Sequence, residues 1–127
     1  MTRRARGNAP TGSSLTYVYA VAQAARPPSA EGGHAGLPGL GPPRLVPIQP
    51  RLWLVVATAP EASYSSQALE AGLKHVDWVS ERAVAHEAVI ERFAALATVI
   101  PTKLFTLFGD DERRSWVLEL AWCSQAA

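Results

Sequence analysis

Residues 77–112 constrain the fold more than any other part of the chain. They begin as an amphipathic helix, continue into an apolar strand that contains Pro101, and end in an acidic helix start at Asp110. Apolar residues recur at gaps of three and four along the helical part, which is typical of a helix with one face on a core. No residue in this stretch completes a catalytic motif, so it indicates a packing and docking unit.

Three strands are predicted upstream of this unit. Tyr17–Val21 alternates aromatic and β-branched residues. Leu45–Ile48 contains a proline and therefore suits a sheet edge, whereas the continuous apolar run Leu52–Ala57 indicates a buried strand. Proline and glycine are dense in Pro27–Pro43, which predicts a long surface loop.

Helices are predicted after the third strand. Ser63 or Ser65 offers the N-cap. Gly72, and Asp77 as a possible new cap, indicate a break, so we expect two helices at a corner rather than one rod. The positions expected to face inward are Leu69, Leu73, Val76, Val79, Ala83, Ile90, Phe93 and Ala97.

A strand over residues 99–108 and a helix from Asp110 complete the order. This order predicts an α/β (α+β) fold in which one mixed sheet carries helices on one face. The 127 residues suit one domain, which we place at residues 15–122. Residues 1–14 are expected to form a disordered basic tail, and residues 123–127 a second tail.

Composition narrows the classes of partner and compartment. The net charge is +1, with 12 basic and 11 acidic residues, so neither nucleic acid nor an acidic membrane is indicated. No apolar run approaches the roughly 20 residues needed to span a bilayer. Cys123 is the only cysteine, so no internal disulfide can form, which fits a reducing, cytoplasmic compartment.

His86 and Glu87 are the nearest approach to a catalytic or metal motif. The zinc motif H-E-x-x-H fails here because Ile90 takes the place of the second histidine, so no metal or cofactor is predicted. Since His86 falls on the apolar stripe, we expect it to be partly buried and hydrogen-bonded to backbone or a carboxylate. There are two alternatives to this structural role. Either His86 contacts a partner, or the protein is an enzyme that uses His86 with Glu87 or Glu91.

The candidate functional residues are therefore ones that contact a partner or support the structure. Tryptophans are usually core anchors, and an exposed aromatic residue suits protein–protein contact. Trp116 is expected to face inward with Leu120 and Val117, and Trp122 lies near the chain end. The candidates are Trp78, His86, Glu87, Glu91, Phe105 and Phe108.

Four segments resemble the gas vesicle protein F/L (GvpL/GvpF) family, and the similarity spans most of residues 15–114. They are Tyr17-Val-Tyr-Ala-Val, Trp53-Leu-Val-Val-Ala, Ala85-His-Glu-Ala-Val-Ile-Glu91 and Ile100-Pro-Thr-Lys-Leu-Phe-Thr-Leu-Phe-Gly-Asp-Asp-Glu112. The His-Glu segment followed by the proline-containing strand is the most specific part.

This resemblance implies a ferredoxin-like N-terminal domain of a non-enzymatic accessory protein of gas vesicle formation. It implies binding to the hydrophobic shell protein and to other gas vesicle accessory proteins, assistance in shell assembly, and a cytoplasmic location associated with gas vesicles. The pattern after Arg114 is not the family's, and the chain stops where the family continues into a second domain, so a truncated copy is expected. A small-ligand-binding regulatory domain of ferredoxin-like fold is the alternative function.

Overall fold

The structure is a computed structural model that describes residues 14–28 and 36–109. These residues form β1 Ser14–Gln23, β2 Arg44–Gln49, β3 Leu52–Pro60, α1 Glu61–Tyr64, α2 Ser66–Gly72, α3 Val76–Ala94 and β4 Thr98–Phe108. The helix expected from Asp110, with Trp116, Val117 and Leu120, lies outside the described residues, as do Trp122 and Cys123. The domain limits at residues 15 and 122 stay predictions.

The four strands form one sheet in the order β2-β3-β1-β4, and every neighbouring pair is antiparallel. The α+β class is confirmed, while the pairing differs from the mixed sheet that the sequence suggested. Each long connection, from β1 to β2 and from β3 to β4, steps over one strand, so strands that run the same way are never neighbours. This order and direction are compatible with a ferredoxin-like plan.

A bulge in β1 sets which residues face the helices. Pairing shifts between Val18 and Ala20 on both sides of the strand, so Tyr19 and Ala20 point to the same side. We call that side the helix face, because the helices pack there. Its buried residues are Tyr17, Tyr19, Ala20, Ala22, Leu37, Val55, Ala57, Ala59, Tyr64, Val89, Ile90 and Phe93.

The opposite side of the sheet, which we call the second face, is also apolar. Its buried residues are Val18, Val21, Leu54 and Val56, with Val46, Ile48, Leu52 and Phe108 packed against them. The described helices contribute side chains to the helix face alone, so the expectation of helices on one face is confirmed for the described residues.

The predicted cap and break are both present. The amide of Ala68 donates to Oγ of Ser65, at 3.1 Å, so Ser65 caps α2. The chain then breaks between Gly72 and Val76, but the N-cap of α3 is His75 rather than Asp77. Asp77 lies in the first turn of α3, where the helix dipole favours a carboxylate.

The break also explains which predicted inward positions are wrong. Ile90 and Phe93 are buried, with 6% and 1% of their surface exposed. Leu73 and Val76 are exposed by 56% and 78%. A stripe counted at helical spacing keeps its side only within one helix, and these two residues lie at the corner between α2 and α3.

Candidate functional site

The packing of α3 against β4 brings together three of the predicted site residues. Trp78 and His86 lie on α3, and Phe105 lies on β4. The rings of Trp78 and Phe105 are 5.4 Å apart at their centroids, and the amide of Phe105 is linked to His86 through one intervening hydroxyl. We call the hydrogen-bonded part the His86 relay; it comprises Tyr17, His86, Thr102 and Phe105.

The directions of the hydrogen bonds in the relay follow from its fixed groups. Nε2 of His86 lies 3.1 Å from the carbonyl oxygen of Thr102 and must donate, because a carbonyl only accepts. Nδ1 of a neutral imidazole then accepts, so the hydroxyl of Tyr17 donates to it over 2.7 Å. The same hydroxyl oxygen accepts from the amide of Phe105 at 3.1 Å.

Burial keeps the relay neutral. His86 is 5% exposed, and desolvation lowers its pKa, opposed by the hydrogen bond to Thr102 and by the charge of Glu87. Tyr17 is fully buried, and desolvation raises its pKa well above the ordinary tyrosine value. Burial therefore favours a neutral imidazole and a neutral phenol, the protonation states for which the hydrogen-bond directions are assigned.

The hydrogen bonds of the relay hold a bulge in β4. Val18 pairs with Thr106 and Ala20 pairs with Pro101, so residues 102–105 of β4 stand opposite a single residue of β1. Phe105 has a φ of 65°, a left-handed backbone conformation that residues other than glycine rarely adopt. The hydroxyl of Thr102 donates to the carbonyl of Val18 at 2.7 Å, which ties the bulge back to β1.

A stack of aromatic rings and one arginine side chain lies beside the relay. The guanidinium of Arg82 lies 4.2 Å from the ring centroid of Trp78, which also stacks on the ring of Phe105. Nη1 of Arg82 also donates to the carbonyl of Trp78 at 3.3 Å and to the carboxylate of Glu81 at 3.0 Å. These contacts fix the orientation of Trp78 on α3.

Two grooves flank α2. One, of about 360 Å³, lies between the α1–α2 segment and the end of β4; it is lined by Leu15, Glu61, Tyr64, Ser65, Ser66, Leu69, Phe105, Leu107 and Gly109. The other, of about 450 Å³, is shallow and lies at the α2–α3 corner; it is lined by Ser63, Ala68, Ala71, Gly72, His75, Trp78 and Arg82. Neither groove is lined by His86.

The other three predicted site residues lie apart from the relay. Glu87 and Glu91 are exposed on α3. Phe108 packs against the second face, on the opposite side of the sheet from His86. Within residues 14–28 and 36–109, no three side chains of His, Cys, Asp or Glu are grouped as a metal site would need.

The tyrosines that organise the relay were not among the site residues predicted from the sequence. Tyr17 and Tyr19 are both fully buried, and both use their hydroxyls, Tyr17 toward His86 and Tyr19 as acceptor from the amide of Leu37 at 3.1 Å. Two tyrosines at alternate positions of a buried strand lie on the same face, and each buried hydroxyl needs a polar partner. This sequence pattern could have identified them.

Residues 15–120 match the family described as "Gas vesicle synthesis protein GvpL/GvpF". The chain belongs to the GvpL/GvpF family. The resemblance deduced from the sequence is therefore confirmed, and the family match runs past Arg114, where the expected pattern ended, to residue 120.

One GvpL/GvpF relative gives the scale of the similarity. The chain is 34% identical over 107 residues to "Gas vesicle protein L" of Streptomyces sp. (strain CB03234). The aligned part covers 83% of this chain and 38% of the relative, so the chain spans well under half of that protein. No solved structure gives a significant match. No helix in the described ranges is both long and apolar enough to cross a membrane.

Proposed function

We propose that this chain is an accessory protein of gas vesicle formation and that it works in association with the vesicles. The observation that carries the proposal is the GvpL/GvpF match over residues 15–120. The 34% identity to Gas vesicle protein L agrees with it. The role is one of binding and assembly, in the cytoplasm where vesicles form.

The more specific proposal is that the chain binds the hydrophobic shell protein through the outer side of the α2–α3 unit. Leu73, Val76 and Val84 are large apolar side chains exposed by 56%, 78% and 70%. Apolar side chains that are exposed together on one surface are typical of protein contact sites. Glu87 and Glu91 follow Val84 at spacings of three and seven, so they share its side of α3. Apolar side chains bordered by charged ones suit a protein partner that must be bound and later released.

Five of the six predicted site residues belong to this surface or to the residues that support it. Glu87 and Glu91 belong to the contact surface because they are exposed. Trp78 and Phe105 are half-buried and stacked, so they form its base beside the α2–α3 corner. His86 supports the structure, because it is buried with both ring nitrogens hydrogen-bonded.

A catalytic role for His86 is less favoured by the same contacts. A general base needs a free nitrogen within reach of a substrate proton. Both nitrogens of His86 are bonded to Tyr17 and Thr102, and Glu87 and Glu91 are exposed to solvent rather than joined to the relay. The proposed role accordingly requires no catalytic step.

Co-purification with the shell protein tests the proposal. We expect the tagged chain to retain the shell protein, and Val76→Ser combined with Val84→Ser to weaken retention by about tenfold or more, since burying one valine contributes about 1.5 kcal/mol. The matched control is Leu96→Ser with Ile100→Ser, two residues exposed by 53% and 63% that lie just after α3 and on β4.

Circular dichroism must show that all variants keep the wild-type fold. Equal loss of retention in both double variants would contradict the assigned surface. Failure of the well-folded parent chain to retain any shell protein, alone and when joined to the remaining length of a longer relative, would contradict shell binding itself.

The groove of about 360 Å³ supports a second candidate, a small-ligand-binding regulatory domain. Its volume is at the lower end of ligand pockets, and it combines Leu69 and Leu107 with the carboxylate of Glu61. A thermal-shift screen of metabolites decides between the two, because a ligand far above its Kd raises the melting temperature. A shift that Leu69→Trp abolishes would favour this candidate; no shift with any compound would remove it.

A further inference from the structure

Arg82 on α3 is a largely buried cation that still has a hydrogen-bond donor to spare. Its side chain is 13% exposed, and its Nε is buried with no hydrogen-bond acceptor among the described residues. The hydrogen bonds to the carbonyl of Trp78 and to the carboxylate of Glu81 both use Nη1. A guanidinium has more N–H donors than these two bonds use, so its Nε side is left for another acceptor. A buried donor without an acceptor costs free energy unless a bound group completes it.

The charge of Arg82 is only weakly balanced by its neighbours. Its ion pair with Glu81 spans 3.0 Å, but the Glu81 side chain is 66% exposed, and water screens a pair of this kind. The hydroxyl of Tyr64 is also near: burial raises the pKa of Tyr64, and Arg82 opposes that rise. That hydroxyl donates to the carbonyl of Pro38 at 2.6 Å, so it remains neutral and offers Arg82 no negative charge. A carboxylate from outside the described residues would provide both the charge and the acceptor.

The groove of about 450 Å³ at the α2–α3 corner, which we call the corner groove, reaches this arginine. On α2 it is lined by small residues, which leave room above the helix, and on α3 by Trp78 and Arg82. None of its described lining residues is acidic, so an entering carboxylate meets no carboxylate in the lining. Leu73 and Val76 follow the lining residues Gly72 and His75 in the chain, so the corner groove adjoins the exposed apolar residues of the proposed contact surface.

We propose that the corner groove binds an acidic side chain of a protein partner, with the carboxylate against Arg82 and flanking apolar residues of the partner against Leu73 and Val76. The inference rests on the contact surface proposed above and adds the chemical group that this surface recognises. Charge complementarity identifies the occupant, because a carboxylate matches the planar donors of a guanidinium. Stacking on Trp78 holds the guanidinium in one orientation before the partner arrives. An acidic side chain, unlike a terminal carboxylate, leaves partner residues on both sides of it to cover the apolar side chains.

Titration of the isotope-labelled full chain with the blocked peptide acetyl-Leu-Ala-Glu-Ala-Leu-amide tests the site by nuclear magnetic resonance. At millimolar peptide we expect the Nε–H signal of Arg82 to move downfield and to saturate, because the carboxylate supplies its acceptor. The same peptide with glutamine in place of glutamate should bind about tenfold more weakly or worse. A third peptide, with glutamine and a free C-terminal carboxylate, tests the other source of the group.

Three results of this titration would overturn the proposal. The first is no shift of the Arg82 signal with the glutamate peptide. The second is an equal shift with the glutamate and glutamine peptides, which would mean that the groove binds apolar chain without reading its charge. The third is a shift with the free C-terminal carboxylate alone, which would assign the site to a chain end.

Arg82→Lys keeps the positive charge but removes Nε–H and the planar arrangement of donors. Followed through the indole signal of Trp78, it should bind the glutamate peptide about tenfold more weakly or worse. The matched control is Arg92→Lys, the same substitution in the last turn of α3, which should bind as the parent chain does. Parent-like binding by a folded Arg82→Lys would overturn the proposal, and the titration of the parent chain does not depend on either variant folding.

Retention of the shell protein separates this inference from the function on which it rests. Undiminished retention by Arg82→Lys, with loss in the Val76→Ser and Val84→Ser double variant, would leave the apolar contact surface in place and remove the carboxylate site. Saturable binding of the glutamate peptide by a parent chain that retains no shell protein would remove shell binding and leave the carboxylate site in place.

Discussion

The hydroxyl of Tyr17 donates a 2.7 Å hydrogen bond to Nδ1 of His86, and this pair joins β1 to α3 across the buried side of the sheet. Nε2 of the same imidazole donates to the carbonyl of Thr102 on β4. One neutral histidine thus connects a central strand, a helix and an edge strand. Its neutrality is a condition of this arrangement, because both nitrogens of a protonated ring donate and the hydroxyl of Tyr17 could then no longer donate to Nδ1.

This condition predicts how stability depends on pH. Burial lowers the pKa of His86 in the folded state, so the unfolded chain binds more protons and the free energy of unfolding decreases as the pH falls below about 6.5, the ordinary histidine value. His86→Gln can keep both hydrogen bonds without titrating. We expect its unfolding free energy to change less between about pH 7 and 5 than that of the parent chain.

Urea unfolding at several pH values measures this difference. The control is His75→Gln, which changes an exposed histidine at the N-cap of α3 and leaves the relay intact, so it should keep the slope of the parent chain. Parallel pH profiles for His86→Gln and the parent chain would show that the relay is not the source of the dependence.

Tyr17→Phe should destabilise the chain by about 1–3 kcal/mol, because it leaves the amide of Phe105 and Nδ1 of His86 without their shared partner. Tyr19→Phe is the matched control. The hydroxyl of Tyr19 accepts one hydrogen bond, from the amide of Leu37, so its loss should cost less. Denaturant unfolding gives the free energies, and faster amide exchange at Phe105 should accompany the first substitution only.

Gly72→Ala should disturb the base of the proposed contact surface. A Cβ at residue 72 would lie 2.5 Å from the ring of Trp78, which Arg82 and Phe105 hold from its other sides. The clash should outweigh the better helix propensity of alanine and cost about 1–3 kcal/mol. Gly41→Ala is the control, since its Cβ would meet its nearest atom at 3.8 Å.

Thermal unfolding and tryptophan emission report these effects together. The Gly72→Ala variant should melt earlier and emit at longer wavelength as Trp78 becomes more hydrated. A melting temperature equal to that of Gly41→Ala would mean that Trp78 has room to move aside.

Phe93→Ala should cost about 3–5 kcal/mol, because Phe93 is 1% exposed in the cluster between α3 and the sheet. Leu96→Ala, at a residue 53% exposed near the end of the same helix, should change stability by much less. Chemical denaturation of both variants provides the comparison. Similar losses for the two would place Phe93 outside the core.

Much of the fold could be predicted from the sequence because local patterns and tertiary packing agree. The buried strand at β3, the edge strand at β2 with Pro47, and the Ser65 cap all follow from local chemistry. The inward positions of Leu73 and Val76 were wrong because a helical stripe does not continue through a corner. The direction of strand pairing depends on long connections, whose course no local pattern specifies.

The site was predicted only in part for a related reason. A buried, hydrogen-bonded His86 followed from its place on the apolar side of α3, and this is confirmed. Its partners Tyr17 and Thr102 are separated from it by 69 and 16 residues, so they become neighbours only when the sheet forms. The left-handed conformation of Phe105 likewise results from that assembly, since its sequence neighbourhood is typical of a regular strand.

The interruption of β4 at residues 102–105 has a consequence for solubility. Among the described strands, β4 has a neighbour on one side only, and its run of apolar residues would otherwise invite another chain to extend the sheet. The backbone of residues 102–105 is displaced, and Pro101 has no amide hydrogen. Both features interrupt the regular row of backbone donors and acceptors to which further strands of a fibril would bind. This edge of the sheet is thereby protected from pairing with the edge strand of another copy of the chain.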